Sequence, residues 1–164
     1  SYIHSMANKK QTQKATFGAG CFWGVEETFR TQKGVKETAV GYMGGSTKNP
    51  SYEDVCTDRT GHAEVVHIEF DPKEIIYETL LTIFWKNHDP TTENRQGPDV
   101  GTQYRSVIFY HTKEQEKIAL KSKEALQKKM TKKIVTEIVQ AATFYPAEEY
   151  HQKYLMKRGL NVCH

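Results

Sequence analysis

The sequence predicts a fold of the α/β or α+β class, with helices laid over a sheet, and three observations carry that expectation. Residues 63–70 alternate as a half-buried strand does, with Glu64, Val66, Ile68 and Phe70 on one face and Val65, His67 and Glu69 on the other. Ile76, Leu80, Ile83 and Phe84 then recur at i, i+4, i+7 and i+8, which is a helical stripe. Strand-like and helix-like segments keep alternating along the chain, and elements of both kinds bury their apolar faces by stacking in layers. Periodicity leaves open which strands pair.

In order along the chain, residues 1–14 are polar and read as a flexible lead, and the five residues before Met6 read as a remnant foreign to the native protein. Residues 16–20 read as a short strand running into a turn, and 22–32 as a helix closed by Gly34. A strand over 36–43 ends at Gly44-Gly45, and Asn49-Pro50 leads into a helical turn over 51–56. After the strand 63–70, Asp71 as N-cap and Pro72 at the first helical position open the striped helix. Residues 88–102 form a loop rich in Asp, Asn, Gly and Pro, long enough to suggest a functional role. A strand follows over 103–110. Thr112 and Gln115 have the spacing of a capping box for a helix to about residue 130, buried along Ile118, Ala125 and Leu126. A strand over 134–140, a short helix over 147–155 and a tail from about 156 complete the chain. No repeat or low-complexity linker divides it, so residues 15–164 are expected to form one domain.

Composition narrows the function classes. A chain of 164 residues can bury a real core without staples. Lys and Arg number 23 against 20 Asp and Glu, a net charge of +3, which gives no reason to invoke nucleic acid. The run Lys128-Lys129-Met130-Thr131-Lys132-Lys133 lacks interleaved aromatics and reads as a solvated face. No window approaches the roughly 20 apolar residues of a membrane span, and the N-terminus lacks the apolar middle of a secretion signal. The three cysteines, Cys21, Cys56 and Cys163, are too few and too odd in number for a secreted disulfide framework, so a reducing, cytoplasmic setting is expected. There is no Cys-x-x-Cys pair and the seven histidines lack ligand spacing, so no metal is expected.

Four constellations could carry chemistry. In Gly20-Cys21-Phe22-Trp23-Gly24 a cysteine sits where a strand turns into a helix, and the backbone N–H groups there favour thiolate over a thiol whose ordinary pKa is about 8.5. Phe22 and Trp23 offer an apolar wall. The same features suit a small buried core cysteine. In Gly61-His62-Ala63-Glu64 a carboxyl stands at the edge of an apolar strand face, where a raised pKa lets it hold a proton, or else it is an ordinary solvated glutamate. Tyr52 and Tyr104 each lie beside a turn, placed to donate to a substrate oxygen or to pack at a core edge. Asp99, in the long loop, suits either substrate binding or a turn.

Taken together, Gly20-Cys21-Phe22-Trp23-Gly24, Gly41-Tyr42-Met43-Gly44-Gly45, Gly61-His62-Ala63-Glu64, Asn87-His88-Asp89-Pro90-Thr91 and Gly101-Thr102-Gln103-Tyr104-Arg105-Ser106 resemble the A-type peptide methionine sulfoxide reductases. The likeness is collinear from about Thr16 onward. It implies a two-layer α/β sandwich with a ferredoxin-like core, Cys21 as nucleophile, Glu64 as proton donor, and Tyr52 and Tyr104 as donors to the sulfoxide oxygen. It also implies that Phe22 and Trp23 receive the methyl group on sulfur and that Asp99 helps hold the substrate. The implied substrate is the S epimer of methionine sulfoxide, in proteins, peptides or free. No cofactor is implied. A thiolate can attack sulfoxide sulfur once the oxygen is protonated, leaving a cysteine sulfenic acid. Cys163, in a glycine-containing tail, is then the expected resolving thiol, thioredoxin the expected reductant, and Cys56 a structural residue. A monomer is expected. Two other readings remain at this point: a cysteine hydrolase using Cys21 and His62, and a methionine-binding module walled by Phe22 and Trp23.

Overall fold

A computed structural model of the chain describes residues 11–159. Its elements are β1 (Gln13–Ala19), α1 (Phe22–Arg30), β2 (Val35–Met43), α2 (Tyr52–Cys56), β3 (Ala63–Phe70), α3 (Tyr77–Lys86), a small hairpin of β4 (Arg95–Gln96) and β5 (Asp99–Val100), β6 (Ser106–Tyr110), α4 (Lys113–Gln127), β7 (Glu137–Gln140), β8 (Tyr145–Pro146) and α5 (Tyr154–Lys157). Short 3-10 turns cover Thr102–Tyr104 and Glu149–His151. The architecture is α+β: one mixed sheet in the order β7-β6-β1-β3-β2-β8, with helices beside it. All neighbours pair antiparallel except β6 and β7, which run parallel.

The sheet is covered on both faces, but differently. On one face Phe17, Val66, Ile68, Phe70 and Ile108 pack against Phe29 of α1, Leu80, Leu81 and Phe84 of α3, and Ala119 of α4. On the other, Met43, Ala63, Val65, Val107 and Phe109 are covered by Ala141 and Phe144, so an extended strip of chain replaces a helix. β3 lies inside the sheet and is buried on both faces over its first half, where Ala63, Val65 and Val66 are apolar and Glu64 is the exception. Its alternation matches the sequence reading, with Glu64 on the helix-side face.

Local chemistry moves several boundaries away from the sequence expectations. β1 begins at Gln13, inside the expected lead, because Gln13 and Lys14 pair with Phe70 and Glu69. Asp71 does cap a turn, its Oδ1 accepting the Lys73 N–H and its carbonyl the N–H of Glu74 and Ile75. That turn stops at Ile76, which is extended (φ −95°, ψ 161°), so α3 starts at Tyr77. Ile76 is accordingly 51% exposed, and Tyr77 takes its place on the buried face. α1 closes at Thr31, earlier than expected. Gly34 serves the next turn instead, at φ +98°, where a Cβ would come 2.6 Å from Ile75.

Thr112 caps α4, its hydroxyl accepting the Gln115 N–H. Gln115 does not complete the box. Its Oε1 accepts the His111 N–H and its Nε2 donates to the Lys14 carbonyl, tying α4 to β1. The buried residues of α4 are Gln115 and Ala119, while Ala125 is exposed. The loop 88–102 contains the β4–β5 hairpin, and Thr102–Tyr104 is a 3-10 turn, so β6 starts only at Ser106. β7 likewise starts late, at Glu137, because the N–H groups of Ile134 and Val135 are taken by Gln127 Oε1 and the Pro90 carbonyl. The helix expected over 147–155 is broken at Lys153, whose left-handed backbone (φ 52°) separates the 3-10 turn from α5.

Phe17 is fully buried, its ring 5.3 Å from Phe29 and 5.2 Å from Phe84. Phe17→Ala is expected to cost about 3–5 kcal/mol in urea unfolding. A loss below about 1 kcal/mol would show that β1 does not anchor the helix layer as described.

Candidate active site

The site is assembled where β1 hands over to α1. β1 ends at Ala19, and Gly20 turns the chain at φ +97°, a backbone that favours glycine. A Cβ there would also approach the Gln96 side chain to 2.9 Å. Cys21 follows as the N-cap of α1 and is half-buried. Its sulfur is engaged in a disulfide, whereas Cys56 is a free thiol. Cys163, the expected resolving residue, lies outside the described residues.

Glu64 comes from β3, opposite Tyr42 of β2, and is 2% exposed. The Phe22 N–H, next in chain to Cys21, donates to Glu64 Oε1 at 3.3 Å. Oε2 has no partner among the described residues. Burial pushes the carboxyl up to about 8. The Phe22 N–H pulls the other way, and the nearby Asp99 carboxylate adds to the rise. Glu64 is therefore a neutral acid at pH 7, and its O–H requires an acceptor that no described residue supplies.

The two tyrosines converge on this carboxyl from separate elements. Tyr52 opens α2, a short helix started by a reciprocal capping box in which Asp54 N–H donates to Ser51 Oγ and Ser51 N–H to Asp54 Oδ2. Its own N–H donates to Glu148 Oε2 at 3.2 Å. Burial, then the side-chain hydrogen bond with Cys56, raises the Tyr52 phenol above its ordinary value. Tyr104 closes the 3-10 turn that Asp58 holds by accepting the Thr102 N–H at 2.9 Å and the Thr102 hydroxyl. Burial, with Glu64 and Asp99 nearby, pushes Tyr104 up to about 12. Both phenols are thus fixed as O–H donors at any working pH. Asp99, in β5, is half-buried and close enough to act on both Glu64 and Tyr104.

Phe22 and Trp23 form the wall. Phe22 is 1% exposed and packs with Val40, Tyr42, Val55 and Ala147. The Trp23 ring stacks on Tyr154 at 3.9 Å and 9°, and its Nε1–H donates to His151 Nδ1 at 3.0 Å. Sequence reasoning gave no role to Tyr42, His151 or Tyr154. Tyr42 is fully buried with an unpartnered hydroxyl among the described residues, and His151 and Tyr154 lie near the far end of the chain. Periodicity reads neighbours within a few turns and carries no signal for a contact between residues 23 and 151. The aromatic density of 144–154 was the one available hint.

His62 is not at the cysteine's service. Its Nδ1 accepts the Gly45 N–H at 2.9 Å and its Nε2 bonds the Thr47 carbonyl at 2.6 Å. Both ring nitrogens are spent on loop geometry, which removes the base that a Cys21–His62 hydrolase needs.

The sequence model of one family, Peptide methionine sulfoxide reductase, matches residues 13–164. The chain is 61% identical to peptide methionine sulfoxide reductase MsrA of Methanoculleus marisnigri, over 96% of this chain and 98% of that one. Its fold superposes on reduced Mxr1 of Saccharomyces cerevisiae with a TM-score of 0.88 at 40% identity, covering 94% of this chain and 90% of that one. Mxr1 has also been solved in complex with Trx2, and that form matches at a TM-score of 0.64 and 28% identity, over 88% of this chain and 86% of the other.

The raised pKa of Glu64 has a stability signature. In the unfolded chain the carboxyl ionises near 4.5, and in the folded one near 8, so stability falls as pH rises between these values. Glu64→Gln, which keeps shape and loses the charge, is expected to add on the order of 4 kcal/mol to stability at pH 8 and almost nothing at pH 4. Denaturant melts at the two pH values measure it. Equal effects at both would contradict the buried-acid description.

Proposed function

The chain belongs to the peptide methionine sulfoxide reductase family, and from that premise we propose that it reduces methionine S-sulfoxide, in proteins, peptides or as the free amino acid, with thioredoxin as final reductant. The observation that carries this reading is the buried, protonated Glu64 bonded to the backbone one residue after Cys21, with its second oxygen unclaimed among the described residues.

In the first step the Cys21 thiolate attacks the sulfoxide sulfur. Glu64 gives its proton to the sulfoxide oxygen, while the O–H groups of Tyr52 and Tyr104 stabilise the charge developing there. The oxygen passes to the cysteine sulfur, methionine leaves, and Cys21 becomes a sulfenic acid. Phe22 and Trp23 receive the methyl group on sulfur, and Asp99 holds the substrate on the side of the β4–β5 hairpin. In the second step the Cys163 sulfur attacks the Cys21 sulfur. A disulfide forms and the hydroxyl leaves as water. In the third, the dithiol of thioredoxin reduces that disulfide and is itself oxidised to a disulfide.

Support for the later steps comes from the cysteines themselves. The chain has three, Cys56 is a free thiol and Cys21 is already in a disulfide. Support for thioredoxin comes from the Mxr1–Trx2 complex. The same reading extends to the fold. Two interleaved units, β1–α1–β2 and β3–α3–β6, give the central order β6-β1-β3-β2, which supports a ferredoxin-like core in a two-layer sandwich. The role that follows is repair of oxidised proteins by a monomer in the cytoplasm, with no cofactor beyond the thiols.

An assay of a methionine S-sulfoxide peptide with dithiothreitol is expected to yield the sulfide, with the R epimer and Cys21→Ser inert. Conversion of both epimers alike, or by Cys21→Ser, would overturn the proposal. Glu64→Gln is expected to lower the reductive step by about 10²-fold or more. In the parent protein that step should decline as pH rises through about 8, where Glu64 gives up its proton. In Cys163→Ser, one methionine per enzyme should still be released while thioredoxin-driven cycling stops, and unimpaired cycling would remove Cys163 from the mechanism.

A further inference from the structure

Glu26 is a second buried carboxylate, on the same helix as Cys21, and the chemistry above has no use for it. It is 1% exposed, and both its oxygens are occupied. Oε1 accepts the backbone N–H of Lys153 at 2.6 Å, and Oε2 accepts the Thr38 hydroxyl at 2.7 Å. Lys153 closes the triangle from the other side, its Nζ donating to the Thr38 carbonyl at 3.1 Å. Three parts of the fold meet here: α1, the edge-side strand β2, and the C-terminal segment that leads to Cys163.

Lys153 is where that segment changes direction. Its left-handed backbone ends the 3-10 turn and starts α5, a conformation that a lysine does not adopt for its own sake. The Glu26 carboxylate fixes it by holding the N–H in place. The preceding residue is clamped as well. Gln152 accepts the Val40 N–H through Oε1 and donates through Nε2 to the Val40 and Ala147 carbonyls, so its side chain continues the hydrogen bonding of the β2 edge. Beyond the clamp, α5 lays Tyr154 on Trp23 and runs to Lys157, six positions before Cys163 in the sequence.

We infer that Glu26 is the positioning residue for the resolving step: by anchoring Lys153 it fixes the direction in which α5 leaves the 3-10 turn, and so sets how readily the Cys163 thiol, farther along the chain, reaches oxidised Cys21. This rests on the resolving role proposed for Cys163. The step it governs is the one already balanced, in which a sulfenic acid and a thiol give a disulfide and water. The carboxylate works through its two acceptor oxygens and not through its charge, which makes the conservative variant informative. In Glu26→Gln the amide oxygen can still accept from Lys153, and the amide N–H can donate to the Thr38 hydroxyl, which is able to accept.

The test compares turnover supported by thioredoxin with turnover supported by dithiothreitol, which can reduce the sulfenic acid directly. The full-length chain is used with a methionine S-sulfoxide peptide. Glu26→Ala is expected to lower the thioredoxin-to-dithiothreitol ratio about tenfold and to slow disulfide formation after a single turnover by a similar factor. Glu26→Gln should restore both to within about twofold of the parent. Thr38→Val, an isosteric change in a β-strand that removes one of the two contacts, should lower the ratio about threefold, and it carries the test if Glu26→Ala fails to fold. An unchanged ratio in Glu26→Ala and Thr38→Val overturns the inference, as does an equal loss with both reductants. Failure of Glu26→Gln to recover would show that charge is what matters and would overturn it too. Cys163→Ser in the same series separates this from the underlying reading. If it cycles on thioredoxin like the parent, the resolving role itself fails, whatever Glu26 does.

Discussion

The site depends on one contact made under one constraint: the Phe22 N–H reaches Glu64 Oε1 while the carboxyl stays buried. Two effects compete over the proton. A hydrogen bond from a backbone N–H favours the charged carboxylate, and burial favours the neutral acid. At 3.3 Å the bond is a long one, and burial at 2% exposure wins, leaving the pKa near 8. The same N–H group therefore orients the acid without ionising it. For this to hold, β3 must lie in the sheet interior and α1 must begin at the end of β1. The order β6-β1-β3-β2 meets both requirements.

The rest of the site is built inward from that acid by elements far apart in sequence. Tyr52 is brought by a five-residue helix with its own capping box, Tyr104 by a 3-10 turn pinned to Asp58, and Asp99 by a two-strand hairpin. All three elements are short. Each is fixed by polar contacts to a neighbour: Glu148 at Tyr52, Asp58 at Thr102, Gln96 at the backbone of Asp89. The C-terminal segment supplies the remaining wall through His151 and Tyr154, and Glu26, Thr38 and Gln152 tie it to the first helix and the sheet edge. Cys21 and Glu64, the groups proposed to react, thus sit at the start of α1 and on the central sheet, while the surfaces around them are held by replaceable hydrogen bonds.

Much of this was legible in the sequence, for identifiable reasons. β3 is clear because alternation over eight residues fixes which side chains share a face, and Glu64 does share one with Val66, Ile68 and Phe70, the face the helices cover. The helical turn over 51–56 and the cap at Thr112 are both present; Thr112 accepts the Gln115 N–H as its spacing implies, and Ser51 accepts the Asp54 N–H. The strand-to-helix setting of Cys21 was visible in Gly20. What failed was decided by contacts at long sequence separation. Asp71 and Pro72 signal a helix start, but Ile76 stays extended and α3 waits for Tyr77. Gln115 has the spacing of a capping residue, yet the Lys14 carbonyl and His111 N–H claim its amide. The break at Lys153 could not be foreseen, since lysine has no preference for a left-handed backbone and only Glu26, distant in sequence, explains it. Motif resemblance named the residues expected to react, whereas the supporting contacts at His151, Tyr154 and Glu26 required coordinates.

The proposed chemistry requires Glu64 to keep its proton at neutral pH. Its side-chain carboxyl can be followed directly by carbon-13 NMR on protein labelled at glutamate, with Glu64→Gln identifying the resonance. A titration midpoint near 8 is expected for the resonance that Glu64→Gln removes. A midpoint close to the ordinary 4.5 would mean that Glu64 is already ionised at pH 7, has no proton to give, and cannot be the acid on which this description of the site is built.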